Sequence, residues 1–206
     1  DAIQRFQREA RTAAALGAHP GIVAVRDFGE AGGKVWFAMD LVQGKSLEAL
    51  IDTGDLPHGR AAELVEKAAR ALHFAHAHGV LHRDLKPANI LVTTAGEPRI
   101  ADFGLAKTTD AGPESHRLTK SGAVLGTPTY MGPEQANGAL TLDARADVYS
   151  LGATLYEALC GEPPFSGETV YALLAKILRE EPRPLRTRDA RIPRDLETIT
   201  LKCLEK

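Results

Sequence analysis

Cysteine is scarce in this chain: Cys160 and Cys203 are the only two in 206 residues. Each sits in an apolar stretch with a helical pattern. Both therefore read as reduced core thiols in a reducing compartment, and a disulfide between them is the less favoured reading. No apolar run approaches the length needed to span a bilayer, and the first residues do not have the pattern of a signal peptide. A soluble, cytoplasmic chain is expected, with any transmembrane segment of a longer parent lying outside it. There is no surplus of basic charge, since the formal net charge is -2. That argues against a protein that works mainly by gripping nucleic-acid phosphates or acidic lipid. Internal repeats and low-complexity tracts are also missing. What is present is apolar material, 44% of the residues, enough for one sizeable core or one large domain with a smaller attachment.

Ile3, Phe6, Ala10, Ala13 and Leu16 recur at helical spacing over residues 2–17, and His19-Pro20-Gly21 ends that helix. Residues 22–28 and 35–41 read as two strands of a hairpin, with Gly29, Gly32 and Gly33 in the turn. Ser46 is placed to cap a short helix through Ile51. Leu56-Pro57 opens a long alanine-rich helix with Leu64, Ala68, Leu72 and Ala75 on one face, ending at Gly79. Short strands at 90–92 and 99–101 flank a Gly96 turn. Residues 103–133 show no sustained period, which marks a functional or disordered loop. From Asp143 to Cys160 a strongly apolar helix carries Val148, Leu151, Leu155 and Leu159, and helices are expected at about 168–180 and from 194 onward. Helix, hairpin, then mostly helices predicts an α+β fold with a helical larger lobe. Both ends fall inside helical patterns, so the chain reads as a piece cut from a longer protein.

The densest chemistry is His82-Arg83-Asp84-Leu85-Lys86-Pro87-Ala88-Asn89, followed by Asp102-Phe103-Gly104. Taken singly, an Asp or Asn in a turn is usually a turn former. The order and spacing of the two clusters together outweigh that bland reading. They resemble the catalytic loop and the Asp-Phe-Gly motif of the eukaryotic-like (Hanks-type) serine/threonine protein kinases. The resemblance implies a protein-kinase-like two-lobe fold. Residues 1–42 would be a partial N-lobe (helix, two strands and hinge), and 43–206 a C-lobe without its final helix. It also implies transfer of the ATP γ-phosphate to Ser or Thr hydroxyls of proteins, with Mg²⁺ or Mn²⁺.

By the same resemblance, Asp84 would accept or orient the proton of the attacking alcohol. Lys86 would neutralise the transferring phosphate, and Asn89 and Asp102 would hold the metal through hard oxygen atoms. Thr127, in Gly126-Thr127-Pro128-Thr129-Tyr130-Met131-Gly132-Pro133-Glu134, would hydrogen-bond near Asp84 and Lys86 and favour Ser/Thr substrates. Gly132 stands where the family usually has Ala, and Glu134 normally pairs with an Arg expected beyond Lys206. Asp147 resembles the buried aspartate that anchors the catalytic loop, and such a carboxylate needs donors. Glu9 resembles the helix glutamate that pairs with the ATP-anchoring lysine. Met39 resembles the gatekeeper, Asp40, Leu41 and Val42 the hinge, and Leu91 the floor under adenine.

The resemblance also assigns Arg83 to gather an activation-segment phosphate. Thr108, Thr109, Ser115, Thr119 and Ser121 are the hydroxyls on offer there, with Thr119 and Ser121 nearest the substrate-facing end. Self-association for autophosphorylation is then expected, with Lys107, Arg117 and Lys120 assisting the charge pairing. The Gly-rich loop and strand lysine would lie upstream of Asp1, so the isolated chain is expected to bind nucleotide poorly. Gly44-Lys45-Ser46 ends like a Walker loop, but Met39 occupies the upstream glycine position. His73, His76, His78 and His82 read as structural rather than as a metal site, since no Cys or carboxylate completes a set. The arginines at 183, 186, 188, 191 and 194 read as a solvated loop, not a nucleic-acid patch. The alternatives carried forward are a pseudokinase-like scaffold and a small-molecule phosphotransferase. Retention of Asp84, Lys86, Asn89 and Asp102 disfavours the first, and Lys86 with Thr127 the second.

Overall fold

The computed structural model describes residues 16–32, 34–103 and 128–206. The helix expected over residues 2–17 lies outside these except at its end, where Leu16–Ala18 form a 3-10 turn with Leu16 fully buried. Strands β1 (Val25–Ala31) and β2 (Lys34–Met39) pair antiparallel, from Val25 opposite Met39 to Ala31 opposite Lys34. The turn is tighter than the sequence suggested. Gly32 sits in it with φ +60, but Gly29 is inside β1 opposite Trp36. A Cβ at Gly29 would come within 2.7 Å of the Trp36 ring, so the glycine makes room for an indole crossing the strand.

A second antiparallel sheet has the order β3 (Gly44–Ser46), β4 (Ile90–Thr93), β5 (Pro98–Ile100). Strand β3 has no propensity signal, because three residues beginning Gly-Lys owe their strand form to β4 alone. A Cβ at Gly44 would strike the Val92 carbonyl oxygen at 1.9 Å, which only glycine avoids. The Gly-Lys-Ser triplet is thus a strand rather than a phosphate-cradling loop. The chain entering the hairpin is tied to β5 by Val23 N–H donating to Ile100 O (2.9 Å) and Ile100 N–H to Gly21 O (2.8 Å).

The described helices of four or more residues are α1 (Leu47–Ile51), α2 (His58–Ala77), α3 (Pro133–Ala136), α4 (Ala144–Cys160), α5 (Val170–Arg179) and α6 (Arg194–Cys203). Ser46 caps α1 by accepting from Ala49 N–H (3.1 Å), as its position predicted. Helix α2 buries Leu64, Ala68, Leu72 and Ala75 on one stripe. Its small alanines let α4 approach closely. Helix α4 is buried on most sides by α2 and α6, and its interior face includes Ala146, Tyr149, Ala153 and Tyr156. The expected stripe is therefore partly wrong: Leu155 and Leu159 are buried, but Val148 is exposed. Small and aromatic residues make this interface, and they carry less periodic signal than leucine. Gly152 permits the α4–α6 crossing, since a Cβ there would lie 2.5 Å from Cys203 Cβ. Cys160 and Cys203 are both free and half-buried. No described helix is long and apolar enough to cross a membrane.

Candidate active site

The site is built around a buried carboxylate. Asp147 lies in the first turn of α4 and is 1% exposed. Its Oδ1 accepts from Arg83 N–H (2.7 Å), and its Oδ2 accepts from His82 N–H (2.8 Å) and His76 Nε2 (2.8 Å). Burial alone would raise its pKa, but the bonds from His76 and the two backbone N–H groups outweigh burial and hold it below the usual carboxylate range. His76 was expected to be merely structural, and its bond to Asp147 places it among the groups that shape the loop. The available clue was its position near the end of the helix that leads into His82, where a buried aspartate must find donors.

The loop that Asp147 holds is irregular. Arg83 has φ +69 and Asp102 φ +62, both in the left-handed region that costs a non-glycine residue about 1–3 kcal/mol. His82 is fully enclosed. Its Nε2–H donates to the Ala101 carbonyl (2.8 Å), its Nδ1 accepts from Asp84 N–H (3.3 Å), and its ring sits 4.8 Å from that of Phe103. Burial pushes its pKa down, against the opposing pull of Ala101 O and nearby carboxylates, so the neutral ring is the folded form. Asn89, in the 3-10 turn Pro87–Asn89, accepts Ala101 N–H on its backbone oxygen (2.9 Å). These bonds draw the 82–89 and 101–103 segments together, and with them Asp84, Asn89 and Asp102.

Asp84 is half-open to solvent, and Lys86 Nζ donates to its Oδ2 at 3.0 Å. The Asn89 side-chain nitrogen donates to the Asp84 backbone carbonyl (2.8 Å), which leaves the amide oxygen as the free acceptor. One amide oxygen and the Asp102 carboxylate are hard donors of the kind Mg²⁺ takes, so the residues fit that ion. Among the described residues there is no group of three or more His, Cys, Asp or Glu that could hold a metal ion.

Met39, at the end of β2, lines a small cavity with Val23, Val25, Phe37, Asp102 and Phe103. The expected gatekeeper and the expected metal ligand therefore share one recess. Asp40 N–H donates to Ala24 O (3.0 Å), while its carboxylate takes both Nε and Nη2 of Arg26. That pairing, with the guanidinium hydrogen bond as its main cause, lowers the Asp40 pKa. Val42 is half-buried, and Leu91 is half-buried between the buried Ile90 and Val92, so its side chain stands on the other face of β4. Leu41 is 88% exposed. Glu9, Gly104, Lys107, Thr108, Thr109, Ser115, Arg117, Thr119, Lys120, Ser121, Gly126 and Thr127 lie outside the described residues.

Beyond that stretch, Tyr130 is pinned to α4. Its hydroxyl donates to Glu157 (2.6 Å), and its carbonyl accepts from Ser150 Oγ (2.8 Å). A Cβ at Gly132 would lie 2.9 Å from a Glu134 carboxylate oxygen, so alanine there would displace that side chain. Glu134 makes no ion pair among the described residues, and Arg83 Nε is buried with no hydrogen-bond partner among them.

A loop locked beneath a half-open aspartate and its lysine, an Asn–Asp pair beside it and a recess under a hairpin strand define a domain of the protein kinase class. The chain belongs to the protein kinase domain family, whose description "Protein kinase domain" matches residues 1–206. It is 45% identical over 208 residues to the serine/threonine-protein kinase PknB of Mycolicibacterium smegmatis, covering 98% of this chain and 32% of that protein. It is 44% identical over 189 residues to PknA of Mycobacterium tuberculosis, covering 89% of this chain and 42% of that protein. The PknB relatives are thus about three times as long as this chain. Among solved structures, the Mycobacterium tuberculosis PknI kinase domain aligns with a TM-score of 0.74 at 32% identity, over 98% of this chain and 70% of that one. Rad53 in complex with AMP-PNP aligns with a TM-score of 0.79 at 28% identity, over 97% of this chain and 49% of that one.

Proposed function

We propose that this chain carries the catalytic loop and substrate-binding half of a protein serine/threonine kinase, which moves the γ-phosphate of ATP to protein Ser or Thr hydroxyls. The observation that carries the reading is the drawing together of Asp84, Asn89 and Asp102 through the His82–Ala101–Asn89 hydrogen bonds. Phosphoryl transfer asks the protein chiefly for alignment and charge compensation. Asp84, solvent-facing and fixed through its backbone, orients the incoming hydroxyl and takes its proton. Lys86, already beside Asp84, offsets charge on the phosphoryl oxygens. Asn89 and Asp102 hold Mg²⁺, or Mn²⁺, which when bound neutralises phosphate charge. Met39, Asp40, Val42 and Leu91 frame the adenine, and Thr127 and Glu9 take the family's roles.

A regulatory role for Arg83 is supported by its Nε, which is buried without a hydrogen-bond partner among the described residues. Phosphate on Thr119 or Ser121, placed there by a second copy of the enzyme, supplies an anion for the Arg83 side chain. The site test is Asp84→Asn in the full-length protein. Peptide phosphorylation is expected to fall about 10²–10⁴-fold, the range for loss of a general base, with the KM for ATP little changed. Turnover within threefold of wild type would remove Asp84 from the chemistry.

A further inference from the structure

Four peptide groups lead into and out of Asp84, and one polar atom of each is held by a side chain. Asp147 takes the N–H groups of His82 and Arg83, and Asn89 takes the carbonyl of Asp84. The carbonyl of Arg83 accepts from Gln135 Nε2 at 2.8 Å. Gln135 is buried on α3, and its Oε1 accepts from Gly132 N–H at 3.2 Å. Both ends of one amide are therefore used, the nitrogen on the catalytic loop and the oxygen on the segment that follows Tyr130. Glutamine offers a neutral donor and acceptor together at any pH, which glutamate of the same length does only when protonated. An ionised glutamate has no proton for the Arg83 carbonyl.

We infer that Gln135 is a positioning residue for phosphoryl transfer: with Asp147 on the N–H and Gln135 on the carbonyl, Arg83 is clamped in its left-handed conformation, and the peptide leading into Asp84 is fixed in direction. The inference rests on the proposed role of Asp84. A φ of +69 at an arginine is a state the chain leaves if released, and leaving it would rotate the Arg83–Asp84 peptide and swing the carboxylate. Gln135 is also the side chain through which residues 128–132 reach that peptide. Tyr130 and Ser150 fix one end of this short segment, Gly132 donates to Gln135 at the other, and Gln135 bonds the loop. The position of the segment is thereby transmitted to the base through the Arg83–Asp84 peptide.

The test uses the full-length protein and compares Gln135→Leu, Gln135→Glu and Asp84→Asn with wild type. Peptide phosphorylation gives kcat and the KM for ATP, and calorimetry gives the stoichiometry and Kd of Mg-ADP. Displacement of an aligned group by about 1 Å costs up to about 10²-fold. Both Gln135 variants should therefore lose about 10- to 100-fold in kcat while binding one Mg-ADP per chain with unchanged Kd. A kcat within twofold of wild type would overturn the inference. So would a fall in kcat matched by an equal fall in the fraction of chains that bind Mg-ADP, since that is loss of fold. If Asp84→Asn turns over like wild type, the site reading itself fails, whatever the Gln135 variants do.

Discussion

The catalytic loop and the β1–β2 hairpin reverse the usual expectation about order. The hairpin is a near-regular ladder with one register shift between Val25 and Asp27, yet among the described residues it is held mainly by its own pairing and exposes Trp36 and Met39. The loop at 82–89 has no regular form beyond one 3-10 turn, yet Asp147 (itself bonded by His76), Gln135 and the Ala101 backbone bind it from several directions, and Asn89 ties it internally. An isolated two-stranded ribbon is marginal in water. A strained loop persists only when its surroundings over-determine it. Regularity is thus a poor guide to which region is firmly held. The better guide is how many buried polar groups would be orphaned if the region moved.

The largest stability effect expected from that contrast is at Asp147. Asp147→Ala removes the acceptor for two backbone N–H groups and His76 in a site closed to water. Breaking one partner out of a buried charged network costs about 3–5 kcal/mol. Urea unfolding followed by far-UV circular dichroism should show a loss of that size. A loss under about 1 kcal/mol would mean that the loop's geometry does not depend on the carboxylate.

A smaller effect comes from pH, and both groups at the hub act in the same direction. His82 has its folded pKa below the unfolded value of about 6.5. Below that pH the unfolded chain takes up the proton first, so stability falls as pH drops from about 6.5 toward the folded value. Asp147 is also depressed, from an unfolded value of about 3.9. Its contribution is whole above that pH and is lost as pH falls through the folded pKa. Urea midpoints measured from pH 8 downward should therefore be level at first, decline below about 6.5, and decline again below about 4. A His82→Phe variant should flatten the upper decline. An undiminished upper decline in that variant would assign it to other histidines.

The same contrast explains what could be read in the sequence. The α2 and α4 helices, the Ser46 cap and the β4–β5 turn were legible because each is written in local spacing or local turn chemistry. Asp84, Lys86, Asn89 and Asp102 were legible as a group because a reaction fixes residue types at set intervals. The long-range bonds were not. Nothing near Gln135 announces that its amide meets Arg83, 52 residues away, and the place of His76 near the end of the helix leading into His82 hints at a donor role without pointing to Asp147, 71 residues away. Strand β3 failed for the same reason, since its form is imposed by β4. Gly29 reads as a turn residue in one dimension, because a glycine that accommodates a neighbouring indole looks there like any other glycine.

The smallest expected effect falls on the hairpin, and Trp36 is the probe, since the chain has a single tryptophan. Arg26 and Asp40 form a two-point ion pair at the hairpin's open end, but Arg26 is exposed and salt competes for both charges. Arg26→Ala should leave the urea midpoint of the helical dichroism signal unchanged within error. If the hairpin is a separately opening unit, the fluorescence of Trp36 should change at lower urea than the dichroism already in the wild type, and Arg26→Ala should widen that gap slightly. Coincident transitions by the two probes would instead mean that the cross-links at Val23 and Ile100 bind the hairpin to the helices as tightly as Asp147 binds the loop, and the asymmetry between the two regions would be one of geometry only.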